Sequence, residues 1–126
     1  VMVLWSEAEY LAYLDRQGTP LPAETTERRF MAKVRGLAEQ HGWMVYHTHD
    51  ARKSAPGFPD LVLTRVGRLL FVELKTATGK LTMPQIQWLE GLRRSVPGVE
   101  VAVWRPEDWP EIVERVTNRG DGRQAP

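Results

Sequence analysis

The sequence predicts a single α/β domain, a small mixed β-sheet with helices on both faces. Three observations carry this. Leu61-Val62-Leu63-Thr64 and Leu69-Leu70-Phe71-Val72 are apolar runs punctuated by Val66-Gly67, the pattern of a β-hairpin. Stretches with apolar residues at helical spacing precede and follow that hairpin. The second of these leads into one more apolar run, Val99 to Trp104, which permits a right-handed parallel crossover beside the antiparallel pair.

The bounds agree. A chain of 126 residues is long enough for one real core and too short for two. Its apolar content and five tryptophans are those of a globular protein rather than a disordered one. A net charge of +1 does not mark a nucleic-acid binder, so any basic surface has to come from local clustering. The absence of cysteine excludes disulfides and thiolate metal sites. No run approaches membrane-span length and no signal-peptide pattern opens the chain, so a cytoplasmic location is the default expectation.

The elements follow in order. Ser6 and Glu9 form a capping box that starts a short helix to about Arg16. Gly18 stops it, and Thr19-Pro20-Leu21-Pro22 is a linker. This helix is either an accessory or dimer contact or simply packs on the domain. A second helix runs from about Thr26 to His41, with Phe30, Val34, Leu37, Ala38 and His41 on one stripe and Gly42 as its C-terminal cap. Glu27 extends that inward stripe into the first turn, where a negative charge also suits a helix N-terminus.

Trp43 to about Thr48 is the first strand, and a polar loop from His49 to Gly57 leads into Asp60. After the hairpin, Thr76 to Lys80 is a turn-rich connector. Thr82 and Gln85 form a second capping box, opening a helix that packs through Ile86, Leu89 and Leu92 and stops before Pro97-Gly98. Trp88 reads as core or interface in preference to a base-stacking platform. Val99 to Trp104 is the last strand, and Pro106 to about Val116 a closing helix. Asn118 to Pro126 lacks apolar anchors and is expected to be disordered.

The chemistry gathers around the hairpin. If the turn is centred between Val66 and Gly67, directly opposed residues have numbers summing to 133, and Asp60 faces Glu73. Strand side chains alternate, so Glu73 and Lys75 share a face and Leu74 points the other way. Two opposed carboxylates on a rigid hairpin suit a hard divalent cation such as Mg²⁺ or Mn²⁺, which takes few carboxylates and keeps waters and phosphate oxygens in its shell. A lysine beside them orients a water or stabilises developing negative charge. This is the equipment of a metal-dependent phosphodiesterase, although an acid at a strand start and an alternating Glu-x-Lys also occur as plain solvent-face residues. In the loop before Asp60, Arg52 and Lys53 are placed to neutralise phosphates, and loop cations are otherwise simply solvated. His47 and His49, with no cysteine and the remaining histidine far off in the helix, fit DNA contact or hydrogen bonding better than zinc.

These residues carry a resemblance. The chain resembles the PD-(D/E)XK nuclease superfamily and, within it, the virus-type replication-repair nuclease (VRR-NUC) domain. The similar text runs from about Thr26 to Trp109. It includes Glu27-Arg28-Arg29-Phe30, Gly57-Phe58-Pro59-Asp60, Glu73-Leu74-Lys75 and the downstream Gln85, with no departure at these core positions. The compact form looks like the stand-alone versions of phages and bacteria.

The resemblance implies a restriction-endonuclease-like core over residues 23–117, flanked by an accessory segment 1–22 and a tail 118–126. It implies DNA as the substrate, hydrolysed with a divalent metal held by Asp60, Glu73, the Leu74 backbone carbonyl and Glu27. Lys75 then aids the attacking water, and Gln85 orients water or phosphate. One side chain cannot make both the cap and the site contact well, so the two readings of Gln85 compete. His49, Arg52, Lys53, Ser54 and Lys80 are the expected DNA contacts. Branched DNA, flaps or four-way junctions, and a homodimer making two symmetric cuts follow from the same analogy. The alternatives are a non-catalytic DNA-binding module of the same fold and a sequence-specific restriction-like endonuclease, the latter normally needing recognition elements for which this chain has little room.

Overall fold

Thr26 opens the first helix: its hydroxyl accepts from the Arg29 N–H at 3.2 Å, in the extended backbone of an N-cap. A computed structural model of the chain describes Ser6 and residues 19–48, 55–95 and 97–118. The elements are α1 (Glu27–Gln40), β1 (Met44–His47), β2 (Leu61–Arg65), β3 (Arg68–Leu74), α2 (Met83–Ser95), β4 (Glu100–Trp104), a short 3₁₀ turn (Pro106–Asp108) and α3 (Trp109–Thr117). The expected helix from Ser6 to Arg16, apart from Ser6 itself, and the tail beyond Asn118 lie outside the described residues. The linker is tied to the domain through Leu21, whose N–H donates to the Pro106 carbonyl at 3.1 Å.

The four strands lie in chain order. β2 and β3 pair antiparallel with Leu61 opposite Val72 and Arg65 opposite Arg68, the register read from the position of Gly67. Gly67 takes φ +79° while Val66 does not, the type II pattern, in which the second central residue must enter the left-handed region and glycine does so without steric cost. β1 runs antiparallel to β2, and β4 runs parallel to β3 after the crossover through α2.

One sheet face carries Leu61, Leu63, Leu70, Val72, Leu74 and Trp104. It is buried under Phe30, Val34, Leu37 and Ala38 of α1 and Trp109, Ile112 and Val116 of α3. α2 covers part of the opposite face, where Leu89 is buried outside that main cluster. Helices on both faces, as expected, leave Met44 and Tyr46 of β1 exposed on the second face at 73% and 61%.

Three expectations need correction, two of burial and one at the first residue of the tail. His41 is exposed, because α1 ends at Gln40 and its cap turns outward. Ile86 is 38% exposed, because the sheet under α2 is narrow and only Leu89 is fully covered. Asn118 is held rather than loose: its carbonyl accepts from Arg68 Nη1 at 2.7 Å and also from Arg65.

That last contact belongs to a clamp at the hairpin end of the sheet. The buried Arg68 forks onto Glu100 through Nε (2.7 Å) and Nη2 (2.6 Å), and Nη1 also donates to the Arg115 carbonyl at 2.8 Å. The guanidiniums of Arg65 and Arg68 lie 5.0 and 4.8 Å from the centroid of the Trp43 ring. Trp43 Nε1 in turn donates to the Val116 carbonyl at 2.9 Å. The C-terminal carbonyls of α3 are thus capped by strand side chains. Arg68 holds the Glu100 carboxyl below its ordinary value, so this pairing is retained at neutral pH and lost as pH falls through that lowered value.

Candidate active site

At the opposite end of the sheet, the β2–β3 ladder ends at Leu61–Val72, and just beyond it the side chain of Asp60 meets that of Glu73. The start of β2 is anchored: the Thr48 N–H donates to the Asp60 carbonyl at 3.1 Å, and the Thr48 hydroxyl to the Pro59 carbonyl at 3.2 Å. The Asp60 side chain accepts from the Leu74 N–H at 2.8 Å, which fixes one carboxylate oxygen beside the Leu74 backbone. Glu73 is only 3% exposed. Its Oε2 accepts from Gln85 Nε2 at 3.0 Å and lies 3.9 Å from Lys75 Nζ. Glu73 and Lys75 therefore share a face, as strand alternation requires.

Gln85 overturns the expectation that its two roles exclude each other. Its Oε1 accepts from the Thr82 N–H at 2.8 Å while its own N–H reaches the Thr82 hydroxyl at 3.4 Å, completing the capping box. The amide nitrogen remains free for Glu73. A primary amide has separate donor and acceptor atoms, so one side chain serves both contacts.

On the other side of Asp60 lies a cavity of about 340 Å³ lined by Glu27, Arg28, Met31, His47, Asp60 and Leu74. Glu27 is exposed rather than part of the buried stripe, and it looks into this cavity from the first turn of α1. Arg28 is a lining residue that sequence reasoning did not single out. The signal was available, since it adjoins Glu27, but periodicity alone places it on the solvent side.

Burial raises the Glu73 carboxyl from its ordinary 4.5 to about 8; the charge of Asp60 and a hydrogen bond with it push the same way, Lys75 opposes, and Glu27 adds a little. In the metal-free protein this acid is therefore protonated at neutral pH, and its stabilising contribution is full below 4.5 and lost as pH rises through about 8. Without divalent metal, the free energy of unfolding falls between those two values by an amount on the order of a few kcal/mol. Glu73→Gln keeps the shape and removes the titration, so its unfolding free energy stays flat over that interval and exceeds that of the native chain at pH 8. Urea titrations at several pH values check this, and a parallel decline in both proteins would show that Glu73 is not the group responsible.

The sequence model of the VRR-NUC domain matches residues 4–107. The chain belongs to the VRR-NUC family. A solved structure described as a VRR_NUC domain aligns with a TM-score of 0.50 at 24% identity, over 66% of this chain and 92% of that one, which bears on the fold. No curated protein matches the chain. VRR-NUC domains are nuclease domains, and the chain is accordingly of the DNA-processing, nuclease type.

The family suggests a divalent metal, and the donors of this VRR-NUC domain fit one of a particular kind. Among the described residues no three His, Cys, Asp or Glu side chains form a group that could hold an ion by themselves. Asp60 and Glu73 are in mutual contact, with the Leu74 backbone bonded to Asp60. Two carboxylates in contact match the partial shell of an ion that retains waters and takes phosphate oxygens. Glu27 does not complete a third position in that group.

Of the expected DNA contacts, Lys80 is exposed beyond Lys75. His49, Arg52, Lys53 and Ser54 lie outside the described residues. Trp88 is 36% exposed, with its ring edge-on to Phe58 at 5.0 Å, and so is neither core nor freely presented. No helix among the described residues is long and apolar enough to cross a membrane.

Proposed function

We propose that this VRR-NUC domain is a divalent-metal-dependent DNA endonuclease that hydrolyses phosphodiester bonds in branched DNA, such as flaps or four-way junctions. One observation carries the reading: Asp60 and Glu73 meet at the sheet end, with Lys75 Nζ and Gln85 Nε2 both directed at the same Glu73 oxygen. Asp60, Glu73 and the Leu74 carbonyl would hold Mg²⁺ or Mn²⁺, which when bound supplies positive charge at the scissile phosphate and acidifies water.

The chain's own groups do the rest. Lys75, 3.9 Å from Glu73 and only partly exposed, offers a donor to the attacking water or to the charge developing on phosphate oxygen. Gln85 holds the Glu73 carboxylate in one orientation. Glu27 positions water in the adjoining cavity, and Arg28 at its rim neutralises a backbone phosphate together with Arg52, Lys53, His49, Ser54 and Lys80. A homodimer brings two such sites to a two-fold junction, and the exposed face bearing Met44 and Tyr46 is available for that pairing.

The test is cleavage of a labelled panel comprising linear duplex, single strand, flap, splayed arm and four-way junction, each with Mg²⁺, Mn²⁺ or EDTA. Metal-dependent nicking that favours the branched substrates is expected. Binding without a cut on any substrate would sink the reading, and equal cutting of linear duplex would remove the branched preference.

A further inference from the structure

Two glycines in this chain adopt the same left-handed conformation in opposite surroundings. Gly67, at φ +79°, has nothing within 4 Å of the place where a Cβ would sit. Gly57, at φ +84°, faces the start of α2 so closely that a Cβ would lie 2.3 Å from the Pro84 carbonyl carbon and 2.6 Å from both the Gln85 nitrogen and the Pro84 oxygen. Those atoms are backbone and cannot swing aside. The turn at Gly67 needs glycine for its dihedral angle alone, whereas Gly57 also needs it for contact.

The contact joins the two halves of the site. Three residues beyond Gly57 stands Asp60. The atoms that Gly57 touches belong to Pro84 and Gln85, and the Gln85 amide holds Glu73. Phe58, between Gly57 and Asp60, packs edge-on against Phe71 at 6.2 Å and Trp88 at 5.0 Å. Phe71 lies on β3 two residues before Glu73, and Trp88 one helical turn beyond Gln85. The segment 57–60 is thus seated against both the strand and the helix that position Glu73.

We infer that Gly57 is a positioning residue: its missing side chain lets the Asp60 loop lie directly on the first turn of α2 and sets the distance between Asp60 and the Gln85-held Glu73. The inference rests on the nuclease reading for its catalytic consequence and on the geometry alone for its structural one. A methyl group at 57 displaces the loop from α2 by roughly the shortfall from ordinary contact, more than an ångström. A shift of that size in a catalytic constellation costs about a hundredfold in rate.

The experiment compares Gly57→Ala with Gly67→Ala in the full chain. Both introduce the same dihedral strain, so both lower the melting temperature, but only the first pushes on α2. Gly57→Ala is expected to lose about a hundredfold in single-turnover cleavage with DNA affinity unchanged, and its Gln85 side-chain amide resonance should move towards that of a free amide. Gly67→Ala should retain the native rate per folded molecule and the native Gln85 resonance.

If Gly57→Ala fails to fold, Phe58→Leu loosens the same seating more gently, and a reduced rate with a shifted Gln85 resonance and native DNA affinity supports the assignment. A native rate and an unmoved resonance in whichever variant folds, or equal losses in Gly57→Ala and Gly67→Ala, would overturn it. Should the unmodified chain cut no DNA at all, the nuclease reading fails while the Gln85 resonance still decides whether Gly57 sets this contact.

Discussion

Glu73→Ala is expected to abolish cleavage, by more than about 10³-fold, while leaving the domain folded and as stable as before. Both halves of that expectation come from the position of the side chain. Glu73 lies on the sheet face opposite the main core, so its truncation opens no cavity among Leu70, Val72 and Trp104. Its burial already works against the charged form, so removing it costs little and at alkaline pH is favourable. Asp60→Ala should be equally inactive but measurably less stable, because it leaves the Leu74 N–H without its acceptor, a loss of about 1–3 kcal/mol for a buried donor. The contrast makes the pair informative. Turnover retained in either variant would remove the metal assignment, and lost turnover with lost folding in Glu73→Ala would mean that its role is structural.

Lys75→Ala is the second large effect. The ammonium is 3.9 Å from Glu73 Oε2, beyond a good hydrogen bond, and so contributes little to holding the carboxylate in place. What it can do is act on a group arriving from outside. The variant should lose about 10²–10³-fold in rate with nearly native DNA affinity, since the interaction it removes strengthens only as charge develops on phosphate. Single-turnover kinetics beside equilibrium binding separate the two quantities. An unchanged rate would reduce Lys75 to a surface cation, and a loss confined to affinity would make it a phosphate contact.

How much of this is legible in sequence depends on how far apart the partners are. The hairpin register was readable because it is local. One glycine that can take a positive φ and two runs of alternating residues leave a single pairing that keeps Leu61, Leu63, Leu70 and Val72 on one face. That pairing alone brings Asp60 to Glu73. The family match over residues 4–107 agrees with the motifs that suggested it.

Features that depend on how separate elements dock were not readable. The double use of Gln85 requires knowing that the first turn of α2 lands beside β3. The Arg68–Glu100 fork spans 32 residues, and neither partner stands in a pattern that announces it. The same holds for Gly57, which reads as an ordinary turn glycine until the helix it touches is placed. Helical spacing identified the side of α2 that faces the sheet but not the width of sheet beneath it, which is why Leu89 is covered and Ile86 is not.

The clamp of Arg65, Arg68, Trp43 and Glu100 lies at the end of the sheet away from the carboxylates, and this separation bears on how such a domain can change over generations. The polar contacts that tie the strands to the C-terminal end of the closing helix are made where no chemistry occurs. Substitutions around Asp60, Glu73 and the cavity at Glu27 therefore draw on a reserve of stability held elsewhere. A lineage can revise which DNA it prefers at one end of the molecule without first having to reinvent what keeps the other end together.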